Sequence, residues 1–178
     1  MNLEDFFPEI NEIEDPDLRN NTILCLQGAI EYGGWSYQDL NDIPFTLLAN
    51  IPVTLVQHTR AVTQLSIAAY EIFNREYAQH FTLNRDFVVS GALLHDVGKF
   101  LEYKRDGDKF VKSSLGKILR HPFSGAGIAG EYDLPPEVVH IIAVHAHEGD
   151  AGYRTPEARI VNHADFMNFE PLRDIYKK

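Results

Sequence analysis

Cysteine occurs once, at Cys25, so no intramolecular disulfide can form, and its place in the apolar run Ile23-Leu24-Cys25-Leu26 marks it as a small buried hydrophobe. Positive charge is scarce: 16 Lys plus Arg stand against 26 Asp plus Glu, a formal net charge of -10. That balance repels phosphate backbones and acidic membranes, which argues against general nucleic-acid binding. The first seventeen residues hold acids and no base, the reverse of a secretory or mitochondrial leader. No apolar run approaches the roughly 20 residues that a membrane span needs. The expectation is a soluble, cytoplasmic protein with no membrane partner.

What is present is ordinary globular composition, 44% hydrophobic and 24% charged over 178 residues, long enough for one domain with its own core. Residues 1 to 16 read as an acidic, Pro-punctuated arm whose Phe6, Phe7 and Ile10 can tuck onto the body. From Asp17 to Tyr32 the spacing of Leu18, Ile23, Leu26 and Ile30 predicts a helix stopped by Gly33-Gly34, and Ser36 caps a short helical piece that ends at Pro44. Pro52 is expected to open a long helix to about His80, with a stripe of Leu55, Val62, Leu65, Ala69 and Ile72. A second helix spans about Asp86 to Asp96, and Asp106-Gly107-Asp108 marks a turn, with a short hairpin around it. Helices also follow from His121-Pro122 to Glu131, from Pro136 to about Ala146, and from Thr155 as N-cap with Pro156 in the first turn. The fold class is all-α, in a single domain.

The informative residues are polar groups where apolar ones belong. His58 fills the missing slot of the long stripe, Asp96 shares a face with Val89, Ala92 and Leu93, and Asp165 shares one with Val161 and Ala164. A buried carboxylate demands a positive partner, and a metal ion supplies one. His145 falls on the Ile141 and Ile142 side of its helix, His95 adjoins Asp96, and His121 stands at a helix start; His80 and His140 read as solvated. The set His58, His95, Asp96, His121, His145 and Asp165 is a thiolate-free mixture of nitrogen and oxygen donors. It suits Mn, Fe, Co, Ni or Zn, fits Mg less well, and is large enough for two ions bridged by a carboxylate.

Four stretches, His58-Thr59-Arg60-Ala61-Val62, Leu94-His95-Asp96-Val97-Gly98-Lys99, His121-Pro122-Phe123-Ser124-Gly125-Ala126 and Pro156 to Asp165, together resemble the HD-domain metal-dependent phosphohydrolase superfamily. The motif core runs from 52 to 169 within an HD-type helical domain at 17 to 178. The resemblance implies a helical bundle in which His58, His95, Asp96 and Asp165 hold one ion and Asp96 bridges to a second held by His121 and His145. Lys99 matches the subset with His-Asp-X-Gly-Lys, which looks closest to the HD-GYP phosphodiesterases. Here the chain has His145-Ala146-His147-Glu148 and then Gly152-Tyr153-Arg154, with neither the adjacent histidines nor the Pro of that branch. Helical phase favours His145 as ligand and leaves His147 as the alternative or as a neighbour of the ligand.

The expected activity is hydrolysis of a phosphate mono- or diester of a nucleotide or small phosphorylated metabolite by a metal-activated hydroxide, with Asp96 and Lys99 as catalytic groups. His121 serves as a general acid or substrate contact if it does not bind metal. Between Lys99 and Arg120 seven bases face three acids, which predicts a cationic rim, with Lys104 and Arg105 as substrate contacts beside Arg60 and His147. His163 reads as a neighbour of the ligands, and Trp35 and Tyr32 as pocket lining or core cover. Two other readings use the same residues: a di-iron oxygenase of this type, and a non-catalytic sensor module stabilised by its metal. Homo-oligomerisation is compatible with all three readings.

Overall fold

The computed structural model describes residues 2–176, and among them the chain is helical apart from one small hairpin, in keeping with the all-α expectation. The acidic start tucks onto the body, as its Phe6, Phe7 and Ile10 suggest. Helix α1 (Leu3–Phe6) and a 3-10 turn (Pro8–Glu12) bury Leu3, Phe6, Phe7, Ile10 and Ile13 in the main core. Polar groups fasten the segment further: Asp86 accepts the backbone N–H groups of Glu14 and Asp15 at 3.0 and 2.8 Å, and Glu9 is gripped by Arg60 and Gln64.

Helix α2 (Pro16–Tyr32) starts where Asp15 accepts the N–H groups of Asp17 and Leu18, with Pro16 in the first turn. It buries Cys25, whose thiol is pushed up to about 12 by burial and by Glu131. Trp35 covers the core beyond it and donates to the Phe100 carbonyl at 2.7 Å, while Tyr32 is exposed. Helix α3 (Leu55–Tyr77) begins later than Pro52 because Thr54 and Gln57 form a reciprocal capping box, and Pro52 lies in the extended lead-in. It also ends before His80, which is exposed.

Helix α4 (Arg85–Leu94) is the central element: every residue from Val88 to Leu94 is buried, and α2, α3, α7 and α8 pack around it. A turn over 95–98 leads into α5 (Lys99–Glu102), and the hairpin β1 (Tyr103–Asp106) and β2 (Lys109–Lys112) follows, with Tyr103 opposite Lys112. Helices α6 (His121–Glu131), α7 (Pro136–Val144) and α8 (Pro156–Tyr176) complete the bundle. Gly98 lets α6 come close: a Cβ there would lie 2.1 Å from the His121 carbonyl. That contact seats the start of α6 against the end of α4. No helix among the described residues is long and apolar enough to cross a membrane.

Because Phe7 is fully buried, Phe7→Ala is expected to cost about 3–5 kcal/mol of stability in urea unfolding. A loss below about 1 kcal/mol would show that the N-terminal segment does not belong to the core.

Candidate metal centre

Five elements deliver the polar residues to one point. His58 comes from the first turns of α3, His95 and Asp96 from the end of α4, His121 from the start of α6, His145 from the end of α7 and Asp165 from α8. Asp96 sits between two pairs of imidazoles. Its Oδ2 lies 3.4 Å from His95 Nε2 and 3.5 Å from His58 Nε2, and its Oδ1 lies 3.2 Å from His121 Nε2 and 3.6 Å from His145 Nε2. Two groups of close donor atoms result, His58, His95 and Asp96 on one side and Asp96, His121 and His145 on the other, all buried. Asp165 joins the first side, with its Oδ1 3.0 Å from His58 Nε2 and 3.9 Å from His95 Nε2.

Local structure decides which ring nitrogen faces inward. A helix leaves its last carbonyls without N–H partners. His95 and His145 are the C-caps of α4 and α7, and each donates Nδ1–H to the carbonyl three residues back: Ala92 at 2.6 Å and Ile142 at 2.8 Å. Both rings therefore present Nε2 to Asp96. His121 lies with Nδ1 3.0 Å from Glu102, so its Nε2 also faces inward. His58 packs its ring against Phe45, 4.6 Å between centroids, and its buried Nδ1 has no partner.

The donor set fits a divalent cation. Burial lowers His121 to about 4 despite Glu102, so at neutral pH its bare Nε2 points at His145 Nε2 from 3.2 Å, beside an ionised carboxylate oxygen. Lone pairs converging in this way, without thiolates, are what a borderline metal ion binds. Burial alone would raise Asp96, but Lys99 and His95 outweigh it and hold the carboxyl well below its usual range. Burial likewise opposes the ionised form of Asp165, yet the bond to His58 keeps it at about 2. His95 is raised, because Asp96 and Asp165 overcome the downward pull of burial. Lys99 is raised in the same way, with Nζ 2.6 Å from Asp96 Oδ2 and 2.7 Å from the Phe45 carbonyl.

The mouth of the site differs from the rim expected of the sequence. Lys104 is exposed on the hairpin face turned from the Tyr103 and Lys112 pair. Arg105 lies two residues further out, where Asp39 and Asp42 hold it at 3.1 and 3.5 Å over the Phe110 ring. Arg60, about 200° around the helix from His58, turns away to Glu9 at 3.1 Å. The bases that do line the mouth with Lys99 are Lys112 and Arg120, opposite an apolar wall that includes Phe45, Phe166 and Phe169. His147 also lines it but is exposed, bonded to Asp150 at 3.0 Å and packed against Phe166; it stands apart from the buried donors.

His163 is exposed in a separate apolar groove between α3 and α8, away from the buried His and Asp cluster. His140 is half-buried rather than solvated, because its Nε2 accepts the Thr155 N–H at 3.3 Å where α8 begins. Sequence reasoning missed Glu102, which is buried against His121, Lys112 and Arg120, and Asn162, which donates to the His145 carbonyl. Lys112 had a usable signal, since the Gly107-Asp108 turn sets it opposite the buried Tyr103.

The model of the HD domain matches residues 55–167. Among curated proteins, a dihydroneopterin 2',3'-cyclic phosphate phosphodiesterase of Methanocaldococcus jannaschii is 32% identical over 114 residues, which is 62% of this chain and 44% of that protein. A ribonuclease Y of Desulforamulus reducens is 37% identical over 76 residues, 43% of this chain and 12% of that protein. A ribonuclease Y of Acidothermus cellulolyticus is 32% identical over 91 residues, 51% of this chain and 16% of that protein. The chain thus spans less than half the length of each of these relatives. No solved structure matches it.

Elemental analysis of protein purified anaerobically is expected to find two transition-metal ions per chain, about one in His121→Ala, and none in Asp96→Ala. Protonated imidazole cannot bind metal, so affinity falls as pH falls. Asp96 and Asp165, which raise His95, shift that fall to higher pH than a free imidazole would give. Equal zinc affinity at pH 8 and pH 6 would speak against imidazole ligands.

Proposed function

The chain belongs to the HD domain family, and from that premise we propose that it is a metal-dependent phosphodiesterase acting on a small phosphorylated metabolite. The observation that carries this reading is the division of Asp96, one oxygen toward His58 and His95 and the other toward His121 and His145. In it, His58, His95, Asp96 and Asp165 hold one divalent ion, and Asp96, His121 and His145 hold a second. The nitrogen-rich set favours Mn, Fe, Co, Ni or Zn. Bound ions of this kind supply Lewis acidity toward phosphoryl oxygens and lower the pKa of water.

The protein's own groups do the rest. Asp96, pinned by Lys99 and four imidazoles, fixes the spacing of the two halves of the site. The Lys99 ammonium, steadied by the Phe45 carbonyl, stabilises negative charge growing on the phosphoryl group. Lys112 and Arg120 draw the anion into the mouth, and Phe45, Phe166 and Phe169 cover the non-phosphate part of the ester and exclude water. His147, exposed at the mouth, contacts substrate rather than metal.

The Methanocaldococcus relative's name points to a 2',3'-cyclic phosphate as the ester to try first. The ribonuclease Y relatives make RNA the second substrate to test, although a net charge of -10 weighs against holding a long polyanion.

The test is an assay of metal-loaded protein on cyclic phosphates of nucleosides and other small molecules, on phosphomonoesters and on short RNA. The expected result is hydrolysis of a small cyclic diester, abolished by chelator and by Asp96→Asn. Lys99→Met is expected to lower kcat by about 100-fold. Inactivity toward every phosphate ester with each of the five metals would overturn the assignment.

A further inference from the structure

Glu102 lies outside the donor set, yet its carboxylate is among the most fully engaged in the chain. It ends α5, one turn beyond Lys99, and is buried. Oε2 accepts the His121 backbone N–H at 2.8 Å and faces His121 Nδ1 at 3.0 Å. Oε1 accepts from Lys112 Nζ at 2.9 Å and from Arg120 Nη1 at 3.0 Å. The backbone beneath it is fixed as well: the Glu102 carbonyl accepts the Ser113 N–H at 2.8 Å, and a Cβ on Gly116 would lie 2.2 Å from the same oxygen. The segment after β2 is therefore folded tightly over this residue.

An ionised carboxylate only accepts hydrogen bonds, so the His121 nitrogen facing it must carry the ring proton. The other nitrogen, Nε2, is then left bare and aimed at Asp96 and His145. We infer that Glu102 is a positioning residue: it fixes His121 as the Nδ1–H tautomer, ready to take an ion at Nε2, and with its other oxygen ties Lys112 and Arg120 to the same point. A single side chain thereby sets both the ligand and the cations that meet the substrate anion. The inference rests on the reading of His121 as a ligand of the second ion.

Long-range proton–nitrogen NMR of the metal-free wild type is the first test, since it needs no variant to fold. Nδ1–H on His121 is expected, and Nε2–H would overturn the inference. Glu102→Leu, which offers no acceptor, is expected to lose the fixed tautomer and to bind the second Co2+ about 10–100-fold more weakly, with the first unchanged. Wild-type binding of both ions by a folded Leu variant would overturn the inference. A wild-type chain that takes up only one ion would instead overturn the paired-ion reading, and the tautomer would still decide the role of Glu102.

Discussion

A single buried carboxylate, that of Asp96, organises the molecule. It has negative charge, little water and five positive or polarisable neighbours, each from a different helix: His58, His95, Lys99, His121 and His145. In a low-dielectric interior such a group is costly unless every face is met by a partner. The end of α4, the turn into α5 and the starts of α3 and α6 are placed as that demand requires. The close approach at Gly98 belongs to the same constraint, because it brings His121 within reach of the oxygen that His58 and His95 leave free.

The second ordering principle is the use of helix ends. His95 and His145 each close a helix and each donate to a carbonyl that the helix leaves unpaired. Capping and the orientation of a donor nitrogen are here one interaction, and it occurs twice, on α4 and on α7. His121 stands at the opposite kind of terminus, where no carbonyl is free, and a carboxylate takes over the task. Three imidazoles are thus turned the same way by devices that follow from where each sits on its helix.

Much of this was legible in the sequence. His58, Asp96 and Asp165 interrupt apolar stripes, and helical phase separates His145 from His147 without any structure. The start of α8 follows from Thr155-Pro156, α2 begins at Pro16 with Asp15 as cap, one residue before the expected Asp17, and Pro52 misleads, because the Thr54 and Gln57 pair sets the start of α3 more strongly than a proline does. At the N-terminus Phe6, Phe7 and Ile10 were legible as residues that pack on the body, whereas Leu3 and Ile13, buried beside them, were not singled out. The cationic rim failed at Lys104 and Arg105. Net charge along a segment does not say which face of a hairpin carries it, and Asp39 and Asp42 are remote in sequence. Glu102 was illegible because its partners lie on elements that only the fold brings together.

The Lys99 contact with Asp96 also bears on the order of assembly. An ammonium 2.6 Å from the central carboxylate already compensates its charge, so the helices can close around Asp96 before any ion arrives. Small metal-dependent domains commonly cannot fold until loaded. With Lys99 standing in as an internal counter-charge, the folded scaffold would come before loading rather than result from it, and the proposed site would stand already shaped for its ions.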